Sequence, residues 1–416
     1  MSHWTPARPR VGIIVFAGFA LGLLGAAPIA WGQGALPDWK SLQQSVLELD
    51  VYSPGAAEPV KGVGFFLEGA EGLVTSLHLI KGASRVVAHA GATPVEITRY
   101  LARDPKTDIV LLDVTPSGPK LGRSSYQMVP LSQTVFAIVP ASSATPVQGM
   151  VMRVFEGAGI GEILAVSQRA PQGAPVADSL GRVLAMIEPL GNMETPAVCA
   201  IPIERVIQLA ARPDRGGPLA GLASDPAPPW LSPETAEGLQ VLGGFYSRAE
   251  RFENAVNLLT RATEKNPRLV EAWMEWGMAL QLKDMNPDAE VKYRKAIELQ
   301  PGNARAHHYF GSCLFNEEML LQAQEQYDAA LKADPEYAQA YVNLAGVYFR
   351  QDKKEDAERA LLRAIELQPW LGIAHYNLGA LYASQGRTAA ALNKLDLLRK
   401  ERSGFAAQLR HLMTSK

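Results

Sequence analysis

Side chains able to do chemistry are thinly spread along this chain of 416 residues. Of its seven histidines only His307 and His308 are adjacent, and no HExxH string is present. Two cysteines are too few for a cysteine-rich zinc or iron–sulfur site, and they rule out a disulfide-built scaffold. Neither a metal centre nor a cofactor is therefore expected. No GxxxxGKS/T loop, dinucleotide fingerprint or GxSxG elbow occurs. The glycine-rich string GAGIGE at 157–162 lacks a repeated βα pattern and reads as a loop between strands. Forty basic against 42 acidic residues leave a formal charge of -2, which argues against a large nucleic-acid footprint. Any chemistry must come from residues that the fold brings together from separate strings.

The elements that would position them change character twice. A chain of this length holds about two to three domains. From about Val46 to Leu209 run short apolar strings broken by Gly, Pro and Ser, among them GVGFFLEG, GLVTSLHLI, DIVLLDV and GRVLAMIEPL. Each is too short for a good helix, and the spacing predicts an all-β barrel or sandwich. The stretch 211–235, rich in Pro, Gly and Ala and without period, is expected to form a linker between domains. Beyond it the apolar period becomes that of an amphipathic helix.

There the chain repeats itself. Pro267, Pro301, Pro335 and Pro369 recur at one constant interval, and Gly243, Gly277, Gly311, Ala345 and Gly379 keep the same spacing. A second small-residue column is Ala255, Ala289, Ala323, Ala357 and Ala391. Small residues allow two helices to approach closely. The column Leu259, Tyr293, Tyr327, Leu361 and Leu395 is expected to fill the space between units. Proline tolerates the end of a helix because it needs no amide partner. This period and pattern resemble the tetratricopeptide repeat (TPR), a pair of antiparallel helices. Five units are expected over 236–405, closed by a capping helix at 406–416.

The resemblance implies a curved all-α solenoid whose first helices line an inner, peptide-binding face. Candidate positions on that face are Arg305, His308, Gln339, Asn343, Tyr376 and Asn377. Asn343 and Asn377, one repeat apart, are placed to bond an extended peptide backbone, or alternatively to brace their own helices. The expected partner is a protein or peptide, not a nucleic acid.

The β segment resembles a second family. The string from Gly62 to Ala90, with Thr75-Ser76-Leu77-His78, is similar to the first barrel of trypsin-like serine peptidases, closest to the bacterial stress-protease branch. His78 falls on the position of the catalytic base. The segment Asp104-Pro105-Lys106-Thr107-Asp108, followed by an apolar strand, puts Asp108 on the position that orients the imidazole. The order of His, Asp and a later nucleophile is that of chymotrypsin. The nucleophile string departs: Ala170-Pro171-Gln172-Gly173-Ala174-Pro175 stands where the family carries Gly-Asn-Ser-Gly-x-Pro. Gln172 thus takes the serine's place, with Ala170 and Gly173 in the oxyanion region. A glutamine amide cannot accept an acyl group, Pro171 lacks an N–H, and Ala170 disfavours a positive φ. The implied architecture is multidomain: an all-β trypsin-like double barrel over 46–210, then the all-α TPR solenoid.

The N-terminus reads as an export segment. Arg8 and Arg10 precede an almost uncharged apolar run, 11–32. A helix needs about 20 residues to span a bilayer, so this run could be an anchor, or it could be removed as a signal peptide. Either places the remaining chain outside the cytoplasm, periplasmic or anchored to the inner membrane. The expected function is a non-catalytic envelope scaffold that holds partner proteins through its repeats. The alternative is an active endopeptidase using a displaced serine, with Ser142, Ser143, Ser167 and Ser179 as candidates.

Overall fold

The computed structural model describes residues 37–90, 93–116, 119–124, 134–142, 147–157, 161–166, 171–178, 180–188, 198–211, 216–225, 229–369, 371–400 and 405–414. The apolar run at 11–32, expected as an export segment, lies outside them. Among the described residues no helix is long and apolar enough to cross a membrane. The chain divides into two compact units, one reaching Pro301 and the other beginning at Gly302.

The first unit opens with a short helix α1 (Trp39–Gln43) and the strands β1 (Val46–Tyr52), β2 (Val60–Phe65) and β3 (Leu73–Ser76). A single-turn helix α2 (Leu77–Ile80) leads to β4 (Arg85–Ala90), β5 (Thr93–Ile97), β6 (Arg99–Asp104) and β7 (Ile109–Leu112). The second set is β8 (Thr134–Ala137), β9 (Val147–Gly157), β10 (Gly161–Val166), β11 (Pro175–Ala177), β12 (Val183–Glu188) and β13 (Val198–Pro202), followed by helix α3 (Ile203–Ala210). With an added β14 (Gly217–Pro218), the first set forms an eight-stranded sheet in the order β14-β6-β7-β3-β2-β1-β4-β5. The second closes into the barrel β10-β13-β12-β11-β8-β9. The ladders of both sets are antiparallel, the pairing that short strings joined by tight turns allow.

Two cores result. One side of the first sheet buries Leu49, Val51, Phe66, Leu73, Ile80, Val86 and Leu112. The other side, with Phe65, Val74 and Leu111, joins Val135, Val176, Leu184, Met186 and Ile201 of the barrel. Apolar burial of this kind contributes about 1.5–3 kcal/mol for each large side chain and is the principal force holding the two β sets together.

The Pro/Gly/Ala-rich segment expected as a linker is instead a strap bound to the β structure. Gly217 and Pro218 pair with Tyr100 and Arg99 of β6. Leu219 and Leu222 enter the first core. Asp225 forms an ion pair with Arg103 at 2.7 Å. Trp230, 2% exposed, belongs to the second core, and its indole N–H donates to the Lys106 carbonyl at 2.8 Å. Composition misleads here because a proline-rich stretch can lie flat on a sheet edge that needs few amide donors.

Helix α4 (Ala236–Arg248) begins at Thr235, whose hydroxyl accepts the Gly238 amide at 3.0 Å. Its Val241 and Phe245 belong to the same core as Trp230 and the barrel. Three further helices, α5 (Phe252–Lys265), α6 (Val270–Leu282) and α7 (Asn286–Leu299), complete two helix pairs in this unit. A buried Arg248–Glu275 ion pair links α4 to α6, and burial keeps the Glu275 carboxyl above the usual range despite its arginine. A Cβ on Gly277 would meet the Tyr293 ring at 2.6 Å. Leu259 and Tyr293 therefore pack within their own pairs against Gly243 and Gly277, and Leu259 also shares a buried cluster with Ala279 of the next pair.

The second unit holds α8 (Ala304–Asn316), α9 (Leu320–Ala333), α10 (Ala338–Arg350), α11 (Lys354–Leu367), α12 (Gly372–Ser384), α13 (Thr388–Lys400) and α14 (Phe405–Thr414). The turn inside every pair of both units carries one left-handed residue: Glu250, Asp284, Glu318 and Asp352 at φ of 59, 60, 61 and 59°, and Gly386 at 74°. These turns keep the spacing of the proline column, so one backbone geometry recurs whether or not the residue suits it.

Candidate functional site

Strand pairing builds the site. In the β3–β7 ladder Thr75 faces Val110 and Ser76 faces Ile109, which sets Leu77 opposite Asp108 just past the ladder's end. The Leu77 amide donates to the Asp108 carbonyl at 2.8 Å. Asp108 adopts φ of 61°, and this left-handed turn swings its carboxylate back beneath α2. One oxygen, Oδ1, accepts the His78 backbone amide at 3.0 Å. The other, Oδ2, is hydrogen-bonded to His78 Nδ1. His78 and Asp108, the expected base and orienter, are thus hydrogen-bonded to each other, with the carboxylate buried and the imidazole 30% exposed.

On the imidazole's other nitrogen lies Gln172. Its amide Nε2 is hydrogen-bonded to His78 Nε2. With Nδ1–H donating to Asp108, Nε2 carries the free lone pair, and the glutamine N–H donates to it. That lone pair would take a nucleophile's proton in a hydrolase. Gln172 is positioned by the turn that follows. Gly173 sits at φ of 81°, and a Cβ there would meet the Val63 carbonyl oxygen at 2.4 Å. The Gly173 amide donates to the Ile187 carbonyl at 3.0 Å. The family register puts Gly173 in the oxyanion region, but its N–H is consumed inside the sheet and offers nothing to a carbonyl oxygen. Ala170 lies outside the described residues, as do Ser143, Ser167 and Ser179. Ser142 is exposed and donates to Glu48.

Two residues join this site with no warning in the strings around His78, Asp108 and Gln172. Glu188, the last residue of β12, is completely buried, and its Oε2 lies 3.9 Å from His78 Nδ1. The Ser76 hydroxyl donates to Oε1 of Glu188, while Oε2 has no hydrogen-bond partner among the described residues. Burial first, and then the neighbouring Asp108 charge, hold the Glu188 carboxyl well above the ordinary range. Burial also raises Asp108, against the lowering effect of His78. The second is Trp230, whose bond to the Lys106 carbonyl fixes the loop two residues before Asp108. A glutamate inside an otherwise apolar strand and a lone tryptophan in a proline-rich stretch are the available signals.

The expected peptide-binding residues do not form one open face. His308 is 5% exposed and spent internally. Asn343 Nδ2 donates to His308 Nε2 at 2.8 Å and to Ser312 Oγ at 3.1 Å. The His308 Nδ1–H then donates to the Tyr337 hydroxyl at 3.2 Å, and Tyr327 donates to Ser312 at 3.1 Å. Asn343 is therefore a brace between α8 and α10. Burial, reinforced by Arg305, lowers His308 to about 3 and keeps it neutral. Tyr376 is 5% exposed and stacks on Phe405 of α14, so the closing helix covers it. Asn377 is wholly buried, and neither amide atom has a hydrogen-bond partner among the described residues. The repeat register explains why: the positions that hold His308 and Ser312 one unit earlier hold Val342 and Gly346 here. Of the six candidates, only Arg305, Gln339 and the partly exposed edge of Asn343 remain near solvent.

The tetratricopeptide repeat family matches residues 320–370. No curated protein sequence matches the chain. Among solved structures, the HtrA-type protease AlgW with tripeptide aligns at 15% identity over 41% of this chain, with a TM-score of 0.36. This chain spans 62% of AlgW's length. The Rv3671c protease from M. tuberculosis, active form, aligns at 16% identity over 48% of this chain and 97% of its own, with a TM-score of 0.37. The MamA protein aligns at 21% identity over 41% of this chain and 93% of its own, with a TM-score of 0.34. The fold class is thus an all-β part, made of a curled sheet and a closed barrel, followed by recurring antiparallel helix pairs that include the TPR match.

The His308 network makes stability depend on pH. A buried neutral histidine contributes stability that is complete above its unfolded value near 6.5 and is lost as pH falls toward about 3. Thermal melts of wild type should therefore weaken more steeply below pH 6.5 than those of His308→Gln, by up to about 1.4 kcal/mol per pH unit. Parallel curves would contradict this. Gly346→Ser should place a hydroxyl before Asn377, as Ser312 does for Asn343, and raise stability by about 1 kcal/mol. The same change beside Asn377→Leu should bring no gain, and an equal gain in both backgrounds would refute the pairing.

Proposed function

We propose that this protein is a non-catalytic adaptor: a protease-like β body, disarmed at its nucleophile, carried with TPR helices that hold a partner polypeptide. The observation that supports this most directly is the Gln172 amide on the lone pair of His78. A serine there would donate its proton to that nitrogen and become a nucleophile. Glutamine donates only a hydrogen bond and stays a neutral amide that cannot attack a carbonyl.

The TPR helices supply the binding role, since repeats of this kind generally bind protein partners. Inward-facing polar side chains are mostly used up in bracing the helices, so recognition falls to the half-exposed groups around Arg305 and Gln339. The apolar run at 11–32 supports a location outside the cytoplasm, with the chain either anchored by it or released after its removal.

Fluorophosphonate labelling of the purified chain, read by intact mass, tests the disarmed site. No adduct should form with wild type or with His78→Ala. A stoichiometric adduct in wild type that disappears in His78→Ala would show an activated serine and overturn this reading.

A further inference from the structure

Three potential ligands converge behind His78. One side-chain donor atom from each of His78, Asp108 and Glu188 lies within 4.8 Å of the others, and no other such cluster of three occurs among the described residues. Asp108 and Glu188 are fully buried, and only the imidazole reaches solvent. Within a disarmed hydrolase Asp108 has a use, as the partner of Nδ1. Glu188 has none: Ser76 occupies one oxygen, and the other is buried and unpartnered while facing the cluster. An orphaned carboxylate oxygen deep in a core is costly unless something compensates it.

We infer that His78, Asp108 and Glu188 form a binding site for a divalent transition-metal ion of the zinc type. Two carboxylates and a neutral imidazole balance the double charge of the ion, leaving the buried cluster neutral. One nitrogen and two oxygens suit zinc, which accepts mixed N/O sets and imposes little geometry of its own. Magnesium and calcium prefer sets made of oxygen alone. Binding places the ion on Nδ1, the imidazole proton moves to Nε2, and any proton on Glu188 leaves to solvent. Gln172 then serves again, because rotating its amide presents Oε1 to the new Nε2–H. A ligating histidine characteristically donates its second ring N–H to such an acceptor. Gln172 thus matches both tautomers of His78.

The test is titration of the chelator-treated full chain with zinc, followed by calorimetry and thermal melting. One ion should bind per chain, and at a hundredfold excess over Kd the melting temperature should rise by about 5 °C. Glu188→Gln and Asp108→Asn, which keep side-chain size, should each weaken binding at least tenfold and cut the rise by about half or more at the same zinc concentration. Circular dichroism of both variants confirms that they are folded. Absence of binding to wild type would overturn the site. So would equal binding in wild type and both variants, which would place the ion on other residues. Neither result alters the labelling outcome, so the disarmed-site reading stands or falls separately.

Discussion

The left-handed backbone of Asp108 is the constraint on which the site depends. It turns a carboxylate beneath α2, where the His78 amide and ring nitrogen hold it. A buried charge of this kind has to be matched by donors, because desolvation otherwise favours the neutral acid. The surrounding structure meets that demand from three directions. The β3–β7 ladder sets the register, the Gly173 turn brings Gln172 to the far side of the imidazole, and the Trp230 indole fastens the loop that carries Asp108.

That last contact joins the site to the rest of its compact unit. Trp230 belongs to the strap that continues from the β14 edge into α4, and the same core receives Trp230, Val241 and Phe245. The first helix pair is therefore packed as part of the β body and not hung from it. In the second unit another polar network does comparable work: His308, Ser312, Asn343, Tyr327 and Tyr337 satisfy one another in the interior. Satisfied buried networks of this type specify a single packing, and removing one member leaves the others stranded.

Much of this is legible in the residue order. A fixed interval carried by prolines, glycines and alanines marks helix pairs because the same steric demand recurs in each unit. His78, Asp108 and Gln172 stand out because each sits in a short string with its neighbours. Glu188 does not, since only the closing of β12 beside β11 brings position 188 near position 108, and nothing local marks the encounter. The strap is hidden because proline and glycine content reports on local conformation and is blind to docking. The register points Tyr376 and Asn377 into a groove because it describes an average unit, whereas α14 closes over the last one. Asn343 has two uses open to it in the sequence, and the packing of His308 decides for the brace.

The proton on His78 reports most directly on whether Gln172 has taken the place of a nucleophile. Nitrogen-15 resonances of the imidazole in the metal-free full chain at neutral pH distinguish its tautomers. The expected result is a proton on Nδ1, shared with Asp108, an unprotonated Nε2, and a Gln172 amide proton coupled to that nitrogen across the hydrogen bond. A proton resident on Nε2, with the glutamine carbonyl as its acceptor and no bond from Nδ1 to Asp108, would contradict it.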